Sequence, residues 1–168
     1  PIHLVRHPFA VAASQIKQGG WDTNYSGFKI PDIPFNHFYT RHADYLCSLQ
    51  TKEEALVAMW CLTNLIPLRN ERNDKSWITV YYENLIRYPE SETTRIFCRW
   101  GKEIPEEVNK QITKASATTK DAAFLDDANK QCAKWRSFFN QQQISRMSKV
   151  LQYFEVDFYT TDIFPIML

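Results

Sequence analysis

Arg6, Pro8 and Ser14 lie near the start of the 168-residue chain, and their types and spacing suit the binding of an anion. The stretch IHLVR, residues 2–6, is short and largely apolar, which predicts a buried β-strand that ends at Arg6. Pro8 suits the first position of a helix, and the good helix formers after it run to a pair of glycines. The first-turn N–H groups of that helix and the Arg6 guanidinium would face one space, where a phosphate accepts hydrogen bonds.

Ser14 falls in the second turn of this predicted helix. Its hydroxyl would add a donor to the anion site if its face of the helix lines the same pocket. The plain alternative is that Arg6 is a surface residue at a strand end and that Ser14 bonds its own helix backbone.

The elements that must position these residues follow from hydrophobic patterning. Two helices are predicted over about residues 36–50 and 52–66, the second apolar on nearly every face and therefore a core helix. Residues 76–82, SWITVYY, predict a second buried strand. A strand, helices and a further strand in this order indicate a parallel α/β sheet, whose ligands bind at the carboxyl ends of the strands. Arg6 and Tyr82 both lie at such ends.

Hydrophobic patterning in the rest of the chain predicts helices and connecting segments. Residues 89–101 form a helix with Ile96, Phe97 and Trp100 on one face and Gly101 as its stop. We further predict a helix over residues 104–115, a polar stretch over 116–134 and a last helix over about 141–154. The loop-like stretch from Trp21 to Pro34 either covers a pocket or is a disordered insert.

Composition excludes several classes of function. A formal net charge of +1 gives no electrostatic case for a nucleic-acid or membrane partner. The four cysteines are widely spaced without a CxxC pair, and His37, His42 and Cys47 do not share one helix face, so we predict no metal site. The most apolar run, residues 55–68, is shorter than the ~20 residues that a membrane-spanning helix needs.

The segment LVRHPFAVAAS, residues 4–14, resembles the 3′-phosphate-binding segment of sulfotransferases that use 3′-phosphoadenosine 5′-phosphosulfate. That family has a strand that ends in Arg and a Ser eight residues later, which Arg6 and Ser14 match. The resemblance implies that these two residues hold the 3′-phosphate of the donor. It also implies a P-loop-NTPase-like parallel α/β fold and transfer of a sulfuryl group to an acceptor hydroxyl or amine.

Further segments resemble the same family in the same order, over nearly all of the chain outside residues 20–50. ITVYYENLIRYPESETTRIFCRWG is similar to its strand and following helix, which implies that Tyr82 approaches the adenosine. IPEEVNKQITKAS is similar to its next helix and implies that Ser116 touches the adenine. KWRSFF resembles the segment after the late donor loop, where Lys130 or Lys134 would supply a cation or simply be solvated. EEALVAMWCLTNLI resembles its Trp-containing core helix.

The chain departs from the family in the loop that binds the 5′-phosphosulfate. Its glycines are Gly19, Gly20, Gly27 and Gly101, and none belongs to a Lys-Ser/Thr-Gly-Thr loop. Because that loop lies upstream in the family and an apolar segment follows Pro1 at once, we predict that residues 1–168 are the C-terminal portion of a single domain. The catalytic base usually lies upstream too, and neither His3 nor His7 is assigned to that role.

The acceptor would be a small molecule or carbohydrate, bound by an aromatic wall in the loop over residues 20–37. We assign Trp21, Phe28 and His37 to that wall, although these rings could instead pack the loop down. The alternative function is a non-catalytic binding or assembly module on the same scaffold. A nucleotide kinase lacks support because it needs the same absent loop. Four unpatterned cysteines favour the cytoplasm, with a Golgi location left open.

Overall fold

The computed structural model describes residues 1–19, 25–108 and 128–166. It is a mixed α/β structure, mostly helical, with a parallel pair of strands in its described part, as the element order predicts. The elements in chain order are β1 Ile2–Val5, α1 Pro8–Gln18, α2 His37–Thr40, α3 Ala43–Ser48, α4 Lys52–Leu68, β2 Ile78–Tyr81, α5 Tyr82–Arg87, α6 Pro89–Trp100, α7 Ala128–Phe138 and α8 Gln141–Tyr153. None of the helices described is long and apolar enough to cross a membrane.

Helices pack on both faces of the strand pair. The register joins Ile2 to Ile78 and Val5 to Tyr81. On one face Val5 is fully buried in the main core, to which α1, α4, α7 and α8 also contribute side chains. On the other face Ile78 and Val80 pack against Ile96 of α6 in a second, smaller cluster. Side chains alternate between the two faces of a strand, so β2 is buried on both sides.

The prediction that β1 is a buried strand is only half correct. Val5 is buried, but Ile2 is 43% exposed and Leu4 is 54% exposed. Their side chains point to the same face as Ile78 and Val80. Among the described residues, α6 packs on β2 on that face but does not extend over β1. An apolar pattern marks residues that favour burial, but it does not supply the element that buries them.

The backbone groups at the outer edges of the two strands also differ in their hydrogen-bond partners. On β2 the Thr79 N–H donates to Asp74 Oδ1 at 3.1 Å, and Arg95 donates to the Thr79 carbonyl at 2.8 Å. The described ranges place no further strand on that edge, and these two side chains make hydrogen bonds that such a strand would make. On β1 the backbone groups of Ile2 and Leu4 point away from β2, because Ile78 bonds to Pro1 across the ladder. They have no backbone partner in the part of the chain that is described.

The segment predicted as helical over residues 36–50 is helical but interrupted, because it forms two short helices, α2 and α3. The break falls at His42, whose backbone (φ −112°, ψ 17°) leaves the helical region. The bend lets the His42 ring pack 5.0 Å from that of Phe154 and share a 3.0 Å hydrogen bond between Nδ1 and the Tyr153 hydroxyl. These tertiary contacts take the place of continued helical hydrogen bonds.

Other boundaries follow the predictions closely. α4 is a core helix as predicted, and Glu54 caps its start by accepting from the Thr51 N–H at 2.9 Å. α6 ends at Gly101, whose φ of 61° suits glycine, as predicted. Trp100 is an exception to the buried face predicted for that helix, because it lies on the last turn and is 44% exposed.

The last part of the polar stretch over residues 116–134 is helical, because α7 begins at Ala128. The burial of Cys132 and Trp135 stabilises this helix despite its polar composition. The last helix, α8, lies where it was predicted. Of the helix predicted over residues 104–115, only the start through residue 108 is described, and the rest lies outside the described residues.

A partly buried ion pair joins α4 to α8. Arg146 donates to Glu53 at 2.8 Å, and Glu53 is only 6% exposed. Burial alone would raise the pKa of Glu53, but the hydrogen bond and positive charge of Arg146 bring the pKa below its usual value. Arg69, just after α4, donates to the carbonyls of Phe154 and Glu155 beyond α8, so charged contacts join the two helices at both ends.

We expect Arg146→Ala to lower the free energy of unfolding by about 2 kcal/mol, because it leaves the buried Glu53 carboxylate without its donor. Urea titration followed by circular dichroism measures the loss. Lys149→Ala, on the exposed side of the same helix, is the matched control and should have little effect. Equal stability losses in the two variants would contradict a structural role for the pair.

Candidate functional site

The turn between β1 and α1 is fixed by hydrogen bonds on all sides. His7 is the N-cap of α1: its Nδ1 accepts from the Phe9 N–H at 3.1 Å, and its carbonyl accepts from the Val11 N–H at 3.0 Å. Pro8 occupies the first helical position, as predicted. The carbonyl of Arg6 accepts from Trp60 Nε1 of α4 at 2.9 Å. The backbone that carries Arg6 is therefore held against the core.

Arg6 and Tyr82 meet at the carboxyl ends of the two strands, as the sequence predicts. The register places Val5 beside Tyr81, and the Arg6 guanidinium carbon lies 4.6 Å from the centroid of the Tyr82 ring. This is the geometry of a cation–π contact. The predicted strand over residues 76–82 is longer than the observed β2, because Tyr82 already begins α5. The chain thus passes from strand to helix beside Arg6 without a connecting loop.

The Arg6 guanidinium keeps hydrogen-bonding capacity at this edge. Its Nε is buried and has no acceptor among the described residues, and no described carboxylate forms an ion pair with it. The Ala10 N–H, in the first turn of α1, also has no backbone acceptor in the described ranges. A guanidinium and the free N–H groups at a helix N-terminus are both hydrogen-bond donors. When they lie close together, a negatively charged oxygen can accept from both.

Glu83 lies directly after Tyr82 and is 1% exposed. Its Oε1 accepts from the His7 N–H at 2.8 Å, and its Oε2 accepts from the Tyr159 hydroxyl at 2.6 Å. Burial raises the pKa of Glu83, and the two hydrogen bonds oppose that rise. Burial and the Glu83 carboxylate raise the pKa of Tyr159. One buried carboxylate thus joins the β1–α1 turn, the start of α5 and the segment after α8.

The His7 ring is fully buried and neutral. Its Nε2 lies 3.2 Å from the Thr160 carbonyl and 3.0 Å from the Asp162 carbonyl, so Nε2 carries the proton and Nδ1 is free to cap the helix. The ring stacks on Trp135 at 4.8 Å. Burial lowers the pKa of His7 to about 3. With both nitrogens engaged, His7 is a structural residue, in line with leaving it unassigned as the base.

The other predicted site residues in the described ranges lie on other parts of the fold than Arg6 and Tyr82. Ser14 is partly exposed on α1, where its hydroxyl accepts from the Gln18 amide at 3.4 Å. His37 is exposed at the start of α2, with its ring 4.0 Å from that of Phe38. Phe28 is partly buried and packs against the main core. Lys130 is exposed on α7.

Trp21 and Ser116 lie outside the described residues. His3, which the sequence places on a strand face, shares a 3.2 Å hydrogen bond between Nε2 and Asn64 of α4.

Sequence reasoning missed Glu83 and Tyr159 as parts of this site. Glu83 carried a signal, because a carboxylate that directly follows a buried strand is costly unless donors surround it. Tyr159 carried none, because nothing in the pattern after α8 indicates that the chain returns to the strand ends. Only the fold shows that these residues, 76 positions apart, form a 2.6 Å hydrogen bond.

Two open hollows lie away from this site. One, of about 100 Å³, is lined in part by Pro1 and Trp77, which precede the two strands. The other, of about 440 Å³, is lined in part by Asp74 and Arg95. Both lie toward the opposite end of the strand pair from Arg6. Within the described ranges, no group of three His, Cys, Asp or Glu side chains is placed to hold a metal ion.

Comparisons of the chain with models of known families, with curated proteins and with solved structures find no match. The class that the fold defines is a mixed α/β protein with a parallel strand pair. The residues gathered at the carboxyl ends of the strands are therefore the basis for assigning a function.

We expect acid to destabilise the fold through His7. The unfolded chain binds a proton on this residue near pH 6.5, whereas the folded chain resists it to about pH 3, so the free energy of unfolding falls as pH drops below 6.5. The loss between pH 7 and pH 5 should reach about 2 kcal/mol from this group. Urea unfolding at the two pH values measures it.

The variant His7→Asn keeps a side-chain acceptor for the cap but does not titrate, so its stability should depend less on pH. His37→Asn, at an exposed ring, is the control and should keep the wild-type dependence. Equal losses of unfolding free energy in His7→Asn and wild type between pH 7 and pH 5 would contradict the inference that the buried His7 ring is neutral.

Proposed function

We propose that this chain forms the 3′-phosphate and adenosine side of the donor site of a sulfotransferase that uses 3′-phosphoadenosine 5′-phosphosulfate. The observation that carries the proposal is the meeting of Arg6 and Tyr82 at the carboxyl ends of two paired parallel strands, 4.6 Å from guanidinium carbon to ring centroid. This is the edge at which α/β sheets bind ligands. The resemblance of residues 4–14 to the family's phosphate-binding segment supports the same assignment.

The chemistry of these side chains fits a nucleotide with a 3′-phosphate. The planar fork of Arg6 suits two phosphate oxygens, and the start of α1 adds a partial positive charge. The Tyr82 ring offers an apolar face to the adenosine. Ser14 would add its hydroxyl to the same phosphate by turning from Gln18, a contact that is exposed and long at 3.4 Å. Lys130 is the proposed cation for a third contact to the 3′-phosphate, and Ser116 is the proposed contact to the adenine.

The proposed reaction is in-line transfer of a sulfuryl group, within a P-loop-NTPase-like fold. An acceptor oxygen or nitrogen attacks the sulfur, and the bond from sulfur to the bridging phosphate oxygen breaks. The products are the sulfated acceptor and adenosine 3′,5′-bisphosphate, and the acceptor's proton goes to a base that we leave unassigned. The contribution of Arg6 is to position the nucleotide and balance its charge.

The acceptor side of the proposal is the loop region of Trp21, Phe28 and His37, whose rings suit a sugar or phenolic compound. His37 is exposed and available for such a contact. A cytoplasmic location stays a prediction from cysteine spacing.

A non-catalytic binding or assembly module is the second candidate. Lack of the loop that would hold the 5′-phosphosulfate favours it only if residues 1–168 are the whole gene product, because none of the four glycines forms such a loop. A module of this kind does not need to bind a 3′-phosphate. A preference for the nucleotide that carries a 3′-phosphate therefore separates the two functions.

We expect the chain to bind adenosine 3′,5′-bisphosphate more tightly than adenosine 5′-monophosphate, measured by calorimetric titration. Arg6→Ala should weaken binding of the bisphosphate by about 10- to 100-fold, the value of a charge-assisted hydrogen bond, and affect the monophosphate much less. Lys17→Ala removes a positive charge from the other end of α1 and is the matched control.

Equal affinity of a folded sample for the two nucleotides would overturn the donor-site proposal and favour the non-catalytic module. A loss in Lys17→Ala as large as that in Arg6→Ala would mean that overall charge, and not a built site, attracts the nucleotide.

A further inference from the structure

The peptide group between Arg6 and His7 is held at both of its polar atoms. Its carbonyl oxygen accepts from Trp60 Nε1 at 2.9 Å, and its N–H donates to Glu83 Oε1 at 2.8 Å. A peptide is planar, so two hydrogen bonds on opposite sides fix the orientation of its plane. That plane sets the direction in which the Arg6 side chain leaves the backbone.

Glu83 also fixes the other half of the contact. It is adjacent to Tyr82 in the first turn of α5, so its carboxylate and the Tyr82 ring belong to one rigid helical turn. The hydrogen bond from His7 to Glu83 therefore joins the residue after Arg6 to the residue after Tyr82. The Tyr159 hydroxyl holds the second carboxylate oxygen at 2.6 Å and prevents the carboxylate from rotating away.

Glu83 does not reach a ligand itself. It is 1% exposed, and each of its oxygens already accepts a hydrogen bond from a protein donor. A general base needs a free oxygen within hydrogen-bond distance of its substrate. The role open to this carboxylate is to orient other groups.

We infer that Glu83, clamped by Tyr159, is a positioning residue that holds the Arg6 guanidinium over the Tyr82 ring in the geometry that receives the 3′-phosphate. The inference rests on the proposed function for the identity of the ligand. The placement of Arg6 is independent of any ligand and is measured separately.

The experiment uses nitrogen-15 spectra of arginine side chains in the ligand-free chain. The Nε–H signal that Arg6→Ala removes belongs to Arg6, and the Tyr82 ring shifts it away from the signals of exposed arginines. We expect Glu83→Ala and Tyr159→Phe to move this signal toward the exposed positions. Tyr159→Phe is the milder variant and answers the question if Glu83→Ala does not fold.

Glu83→Gln should restore the Arg6 signal. Its amide oxygen accepts from the His7 N–H, and its NH₂ group donates to the Tyr159 oxygen, because a hydroxyl can accept as well as donate. Glu53→Ala deletes another buried carboxylate, between α4 and α8, and is the control for general destabilisation. It should leave the Arg6 signal in place.

The inference is overturned if the Arg6 signal stays unchanged in both Glu83→Ala and Tyr159→Phe, or if Glu53→Ala moves it equally. It is also overturned if Glu83→Gln moves the signal as far as Glu83→Ala, since the charge would then matter and not the hydrogen bonds. Titration of Tyr159→Phe should show about tenfold weaker binding of adenosine 3′,5′-bisphosphate. If Arg6 depends on Glu83 but the wild type shows no 3′-phosphate preference, the positioning role stands and the proposed function falls.

Discussion

The pairing of Val5 with Tyr81 determines everything found at the carboxyl edge of the strands. The carboxyl ends of parallel strands lie at the same edge of a sheet. Here α1 begins after two intervening residues beyond β1, and α5 begins directly after β2. Arg6 and Tyr82 must then lie side by side. A slip of one residue would turn the fully buried Val5 out of the core, so apolar packing protects the register. The site thus inherits its geometry from the core.

Behind this edge lies a polar cluster that is buried but satisfied. Glu83, His7 and Tyr159 are each about 1% exposed or less, and each has its hydrogen-bond partner within the cluster or on the backbone. Leaving any of these groups unpaired would cost several kcal/mol, whereas paired in a low dielectric they strengthen one another. Such a cluster admits few alternative arrangements. The turn that carries Arg6 is therefore better defined than its position between two elements would suggest.

Patterning was sufficient where local signals dominate. The Arg6–Pro8 turn, the core helix α4 and the αL stop at Gly101 all follow from residue type and period, and parallel pairing then predicts that Arg6 meets Tyr82. Contacts distant in sequence were out of reach. The return of Tyr159 to the strand ends, the bend at His42 and the exposure of Leu4 depend on which elements meet, and residue periodicity within one segment contains no such information.

The unequal edges of the strand pair have a consequence for handling the protein at high concentration. A strand edge with free backbone groups and apolar side chains is a template for pairing with another chain, and natural proteins commonly block such edges with charges. In the part of the chain that the structure describes, β2 is blocked by Asp74 and Arg95, whereas β1 presents Ile2 and Leu4. Among the described residues, self-association by strand pairing would therefore use β1 and not β2, and a β1–β1 pair would leave no open edge for further growth.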